Sequence, residues 1–103
     1  MTVVKFLVNQ EKLSGFEISG HSSENCDDSL GKIVCAAVSS AAYMAANTVL
    51  EIVKQKAEVE ISDAKMYFYV KAPNEATEIV LEGFKLHILQ LSEQYSNKLS
   101  VIK

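Results

Sequence analysis

A histidine and a cysteine flank one polar segment of this sequence. His21 follows Gly20 at the start of the segment, and Cys35 lies just beyond its end, within the apolar run IVCAAV of residues 33–38. A cysteine thiolate is a strong nucleophile, and a neighbouring imidazole can hold it ionised and later act as a general acid. The two side chains therefore indicate nucleophilic attack on a carbonyl substrate, with Cys35 as nucleophile.

Cys35 would need help to ionise. A thiol with an ordinary pKa of about 8.5 is only a few per cent thiolate at neutral pH, and lowering that pKa by about two units requires roughly 2.7 kcal/mol. A helix N-terminus contributes about 0.3–1 kcal/mol at exposed sites and up to about 2 kcal/mol in good geometry. A histidinium at His21 would supply the remainder, and Lys32, three residues before Cys35, could add a second positive charge.

Other interpretations of these residues remain open. A cysteine in an apolar run is, by frequency, more often a small core residue than a nucleophile. We expect Cys26 to be incidental, although it could pair with Cys35 under oxidation. His87 lies between Leu86 and Ile88 in a predicted helix and is expected to be structural or interfacial. A zinc site from His21 and the two cysteines fails on spacing because there is no C-x-x-C pair, so no metal or cofactor is expected.

The strands and helices around this segment must position His21 and Cys35 next to each other. Alternating and β-branched residues predict the strands, apolar spacing of three and four residues predicts the helices, and Asn74 is placed to cap the second helix. The predicted strands are residues 2–9, 13–20, 57–62, 65–71 and 98–102, and the predicted helices are residues 33–54 and 75–95. The order ββαββαβ indicates an α/β (α+β) fold, a mostly antiparallel sheet packed with two long helices on one or both faces.

The second helix has two apolar stripes. One stripe contains Ile79, Leu86 and Leu89, and the other contains Leu81, Phe84, Ile88 and Leu91. A helix that is apolar on so much of its surface often covers two partners.

Composition limits the class of protein. The 103 residues fit one domain, and 49% of them are apolar, which is ample for one core. The net charge of −3 argues against nucleic-acid binding and suits a basic protein or peptide as partner. Neither a signal peptide nor a run of about 18 apolar residues is recognised, so we expect a soluble cytoplasmic protein with no membrane contact.

Two motifs resemble a known family. Gly20-His21 and the run Ile33-Val34-Cys35-Ala36-Ala37-Val38-Ser39 resemble the signature of the bacterial ribosomal-processing cysteine proteases. The likeness extends to length and element order, so residues 1–103 would form one cysteine-protease domain. It implies a homodimeric endopeptidase that removes a short N-terminal extension from bacterial large-subunit ribosomal protein twenty-seven, cutting after an aromatic residue. By that likeness Cys35 matches the nucleophile and His21 the general base.

Two further positions adjoin the motif. Ser39 lies one helical turn beyond Cys35 and could hydrogen-bond near the pair or to a helix carbonyl. Lys32 stands where members of the family commonly have an aspartate, so a helix cap would have to come from Asp28 or Ser29.

The polar segment itself is longer than most connections in a small domain. We expect residues 22–31 to close over the site when peptide enters. Its polar residues Ser22, Glu24, Asp27 and Asp28 could hold a basic substrate peptide, or could simply be solvated. Two other functions are compatible with the sequence: a ribosome-assembly factor that binds the same precursor without cutting it, and a redox sensor in which Cys26 and Cys35 cross-link.

Overall fold

The computed structural model describes residues 1–20 and 29–102 of the chain. Within these described residues, five strands and two α-helices follow one another in the predicted order ββαββαβ, which confirms the α+β fold class. The elements are β1 (Thr2–Asn9), β2 (Lys12–Ser19), α1 (Ser29–Asn47), β3 (Glu58–Ser62), β4 (Lys65–Tyr69), α2 (Glu75–Gln94) and β5 (Leu99–Ile102), with a π-helical turn (Thr48–Val53) directly after α1.

The strands form one mixed sheet in the order β3-β4-β2-β1-β5. All neighbouring strands are antiparallel except β1 and β5, which are parallel. Val3 pairs with Ser19, and Ser19 pairs with Lys65, so the start of β1, the end of β2 and the start of β4 meet at one end of the sheet. Gly20, the residue that follows β2, lies at this end.

The hydrophobic core lies between one face of the sheet and both helices. Phe16 is fully buried at its centre, and its ring lies 4.4 Å from that of Phe84 on α2 and 5.4 Å from that of Phe68 on β4. Val34 and Val38 of α1 are also buried, as the predicted helical spacing requires. Aromatic rings that pack at such distances are worth about 0.5–1.5 kcal/mol per pair beyond the burial of their surface.

The other face of the sheet carries a polar and aromatic surface. Tyr67 and Tyr69 stack with their ring centroids 6.3 Å apart. Glu60 and Glu17 stand opposite Tyr67 on the two neighbouring strands. Burial, followed by the carboxylate of Glu58, raises the pKa of Tyr67 above its ordinary value of 10.0.

α1 differs from its predicted course at both ends. It begins at Ser29, whereas the sequence pattern placed its start at residue 33, and a π-helical turn replaces its last two turns. Because a π-helix pairs residues five apart, it changes the phase of the apolar stripe after Val49. Ile52 continues the apolar spacing of three and four residues that predicts a helix over residues 33–54, but it is 76% exposed, so that spacing does not place it in the core.

α1 also bears on the membrane expectation. Residues Ser29–Val53 are long and apolar enough to cross a membrane by length and composition, with a mean hydropathy of 1.6 over the most apolar window. The expectation that no segment reaches this measure is therefore not met. The core helix of a soluble protein and a signal sequence pass the same test; 33% of this window is buried, and the buried residues of α1 include Val34, Val38 and Ala42.

α2 begins as the sequence predicts. The side chain of Asn74 accepts a hydrogen bond of 2.9 Å from the backbone N–H of Thr77, and Glu75 and Glu78 lie in the first turn. Leu81, Phe84 and Ile88 are buried, whereas Ile79 and Leu86 of the other stripe are 65% and 59% exposed. The stripe that contains Ile79 and Leu86 is thus left largely uncovered by the described part of the chain.

Candidate active site

A cavity of about 150 Å³ opens at the end of the sheet where β1 starts and β2 ends. α1 and the turn between β3 and β4 complete its walls. Its apolar lining comes from Ile18, Val38, Ile61, Ala64 and Met66, and its other lining residues are Thr2, Gly20, Cys35, Ser39, Tyr43, Ser62 and Lys65. A half-buried cysteine is therefore presented to a small cavity whose lining is partly apolar and partly polar.

The sulfur of Cys35 has a polar neighbour on β1. Thr2 Oγ1 lies 3.6 Å from Cys35 Sγ, within hydrogen-bonding range for sulfur, and either atom can be the donor. Thr2 is only 2% exposed, so this hydroxyl is held away from bulk water beside the thiol.

The early start of α1 changes the electrostatic setting of Cys35. Counted from Ser29, Cys35 is the seventh residue of the helix, as 35 − 29 + 1 = 7. The unpaired N–H groups belong to the first four residues of a helix, and the dipole effect falls off within the first turn. Cys35 lies within the first two turns, as predicted, but the helix start itself contributes less to an anionic sulfur than a start at residue 33 would.

Gly20 closes the other side of the cavity. Its φ of 78° is in the left-handed region, and a Cβ at this position would lie 2.5 Å from the carbonyl oxygen of Met1. Its N–H donates a 3.0 Å hydrogen bond to the carbonyl of Ala64 in the β3–β4 turn. Because Gly20 has no side chain, the start of β1 and the β3–β4 turn can both pack closely against it.

Comparison with known proteins identifies the family. The family model described as "Cysteine protease Prp" matches residues 1–100. The chain belongs to the Prp family of cysteine proteases. A search among curated proteins found no match.

Solved structures with the same fold agree with this assignment. The ribosomal processing protease Prp from Staphylococcus aureus, in complex with a covalently linked product peptide, superposes with a TM-score of 0.86 at 19% identity, covering 99% of this chain and 98% of that one. The same protease with a substrate peptide gives a TM-score of 0.83 at 16% identity, covering 98% and 97% of the two chains. SMU.848 from Streptococcus mutans gives 0.85 at 20% identity, covering 99% and 92%. At such identities these similarities show the shared Prp fold.

The structure brings some of the predicted residues together. Ser39 lines the same cavity as Cys35 in this Prp-family protease, one turn further along α1. Lys32 is exposed in the first turn of α1 and is not among the residues that line the cavity. The remaining predicted residues lie outside the described part of the chain; they are His21, Ser22, Glu24, Cys26, Asp27 and Asp28. Ser29, a predicted cap, is the first residue of α1.

Sequence reasoning missed Thr2, Tyr43 and Lys65, which line the Cys35 cavity. Thr2 and Cys35 are 33 positions apart, and no local spacing connects them. One signal was available for Thr2: in the alternation of β1 it shares a face with Val4 and Phe6, so it is a polar residue at a core-facing position.

A second, more apolar groove lies between α1 and α2. It has a volume of about 290 Å³, and its lining includes Met44, Ile79, Phe84 and His87. His87 is therefore exposed at a groove between helices and does not line the Cys35 cavity. Among residues 1–20 and 29–102, no cluster of histidine, cysteine, aspartate or glutamate side chains is suited to hold a metal ion.

Proposed function

We propose that this protein is an endopeptidase that removes the N-terminal extension of bacterial large-subunit ribosomal protein twenty-seven. The observation that carries this proposal is that Cys35, in a Prp-family chain, lines a cavity whose walls are apolar in part. In another protein, an apolar cavity of about 150 Å³ binds benzene, so the cavity beside Cys35 has the size for one aromatic ring. That size supports cleavage after an aromatic residue, whose side chain would fill the cavity.

The proposed reaction is acyl transfer through a cysteine–histidine dyad. The Cys35 thiolate attacks the scissile carbonyl, and His21 first pairs with the thiolate and then protonates the leaving amine. Water hydrolyses the thioester and regenerates the thiol. We further propose that backbone N–H groups near the start of α1 stabilise the oxyanion.

The test is cleavage of the purified ribosomal protein precursor, followed by mass spectrometry. The wild-type protein should release the N-terminal extension as one fragment ending in an aromatic residue. Cys35→Ala should release none while keeping the wild-type circular dichroism spectrum, and His21→Ala should be slowed by at least about 10²-fold because general acid–base catalysis contributes that much. Undiminished cleavage by Cys35→Ala would remove Cys35 from the mechanism. Binding of the precursor without any fragment would instead favour the assembly factor.

We also propose that the protein acts as a homodimer in the cytoplasm, where ribosomes assemble. A second copy would cover the groove between the helices, since Met44 is 74% exposed there beside Ile79. Exposed apolar patches of this kind on a soluble protein commonly mark interfaces.

Sedimentation equilibrium tests the dimer. The wild-type protein should sediment as a dimer, and Ile79→Lys should shift it to a monomer because a charge would be buried in the interface. Val8→Lys is the matched control, since Val8 is 61% exposed but lies on β1, away from the groove. A monomeric wild-type protein, or a dimer unaffected by Ile79→Lys, would contradict the proposed interface.

A further inference from the structure

We propose that Thr2 stabilises the Cys35 thiolate by donating its hydroxyl hydrogen to the sulfur, and so acts as an activating group in addition to the one proposed for His21. The inference rests on the proposed role of Cys35 as nucleophile. The Oγ1 to Sγ distance of 3.6 Å already allows the hydrogen bond. A hydroxyl can donate or accept, whereas a thiolate can only accept, so ionisation of Cys35 fixes Thr2 as the donor.

The backbone holds the Thr2 hydroxyl in place before any substrate arrives. The N–H of Thr2 donates a 3.0 Å hydrogen bond to the carbonyl of Lys98, and Thr2 pairs with Leu99 in the parallel ladder. On the opposite side, the next residue, Val3, pairs with Ser19 of β2. A β-branched side chain on such a strand has few available χ1 rotamers. A donor fixed in this way stabilises developing charge with little reorganisation.

The position of Cys35 makes such a donor useful. As the seventh residue of α1 it lies beyond the first turn, where the effect of the helix dipole is strongest. Charged and titratable groups also surround the cavity: Lys65 and Tyr43 line it, Lys32 lies one turn earlier on α1, and the amino group of Met1 adjoins Thr2. A test of the hydroxyl must therefore leave all of these groups unchanged.

Replacing Thr2 by valine, which has nearly the same shape but no hydroxyl, meets that requirement. In a Cys26→Ser background Cys35 is the only thiol, since the chain has two cysteines, and its alkylation rate by iodoacetamide can be followed against pH. Thr2→Val should raise the apparent pKa of the reacting thiol by about one unit, because a hydrogen bond to a charged group is lost, and the thiolate fraction at neutral pH should fall about ten-fold. Thr2→Ser retains the hydroxyl and should restore the wild-type profile.

Thr77→Val is the matched control for general loosening of the fold. Thr77 is also a buried threonine, but its hydroxyl bonds to Gln55 and it does not line the Cys35 cavity. This variant should melt at a lower temperature and leave the alkylation profile unchanged.

Three results would overturn the inference: an unchanged profile in Thr2→Val, an equal shift in Thr2→Ser, or an equal shift in Thr77→Val. If Thr2→Val does not fold, Thr2→Ala removes the same hydroxyl without risk of overpacking and must show the same upward shift. The measurement needs no peptidase activity. Loss of the proposed function, seen as cleavage that persists in Cys35→Ala, is therefore distinguishable from loss of the Thr2 contact.

Discussion

Substitution of Gly20 by alanine tests whether the start of β1 and the end of β2 are held together as described. A Cβ at this position would lie 2.5 Å from the Met1 carbonyl oxygen, whereas ordinary contacts begin at 3.4 Å. The chain must therefore move apart by about 0.9 Å here, as 3.4 − 2.5 = 0.9. The φ of 78° adds strain of its own, because an L-residue in the left-handed region costs about 1–2 kcal/mol.

These two effects set the expected magnitudes for Gly20→Ala. A loss of about 2 kcal/mol in the free energy of unfolding lowers the melting temperature of a domain of this size by about 8–16 °C. A displacement of about 1 Å next to reacting groups can lower the catalytic rate by roughly 10²-fold. Gly20 adjoins His21 and lines the Cys35 cavity, so kcat/KM for the ribosomal protein precursor should fall to that extent.

Thermal melting and precursor cleavage should be measured together on Gly20→Ala and Gly83→Ala. Gly83 lies within α2, and an added Cβ there meets nothing within 4 Å. Gly83→Ala should therefore raise the free energy of unfolding by about 0.5–1 kcal/mol, because alanine is the better helix former. Opposite signs in the two variants are the expected result. A melting temperature for Gly20→Ala equal to that of the wild type would refute the close approach of Met1.

Three further substitutions test the core, a helix terminus and the open face of the sheet. Phe16→Ala removes the fully buried central ring and should cost about 3–5 kcal/mol in urea-induced unfolding; a smaller loss than 1 kcal/mol would contradict the packing. Asn74→Ala deletes the cap on the Thr77 N–H and should cost about 1 kcal/mol by the same measurement, with Asn74→Ser recovering most of it. The raised pKa of Tyr67 means that the folded state holds the phenol proton more tightly than the unfolded state. The stabilisation of the fold that results is fully present below pH 10.0 and is lost as pH rises through the pKa of the folded state. Tyr67→Phe should therefore remove one tyrosine that ionises above pH 10.0 from an absorbance titration, and a titration curve that is unchanged above pH 10.0 would contradict the raised pKa.

Local patterns predicted the elements because each has its own period and its own boundary residues. The alternation of β2 and the Asn74 cap of α2 lead to the observed structure directly. The strand order could not be predicted in the same way, since the parallel pairing of β1 with β5 depends on contacts between distant residues. The π-helical turn was missed because Val49 and Ile52 have an ordinary helical spacing, and only the packing reveals the change of phase.

The candidate site was predictable only in part, for the same reason. Cys35 and Ser39 stand four residues apart on one helix, so their shared cavity follows from the sequence. Thr2 enters the site through the register of β1 against its neighbours, which a single sequence does not specify. The predicted roles of His21 and Cys35 remain predictions, to be decided by the cleavage experiment.

The parallel ladder between β1 and β5 has a consequence for biosynthesis. It joins Thr2 to Leu99, which are 97 positions apart, as 99 − 2 = 97. Contacts between such distant positions form late, because the closure entropy of the intervening chain must be overcome first. While the chain is still being translated, β1 lacks this partner, and the Thr2 amide lacks the Lys98 carbonyl that anchors it. The wall of the cavity beside Cys35 is therefore completed only after β5 has been made, which delays maturation of the thiol until that strand has emerged.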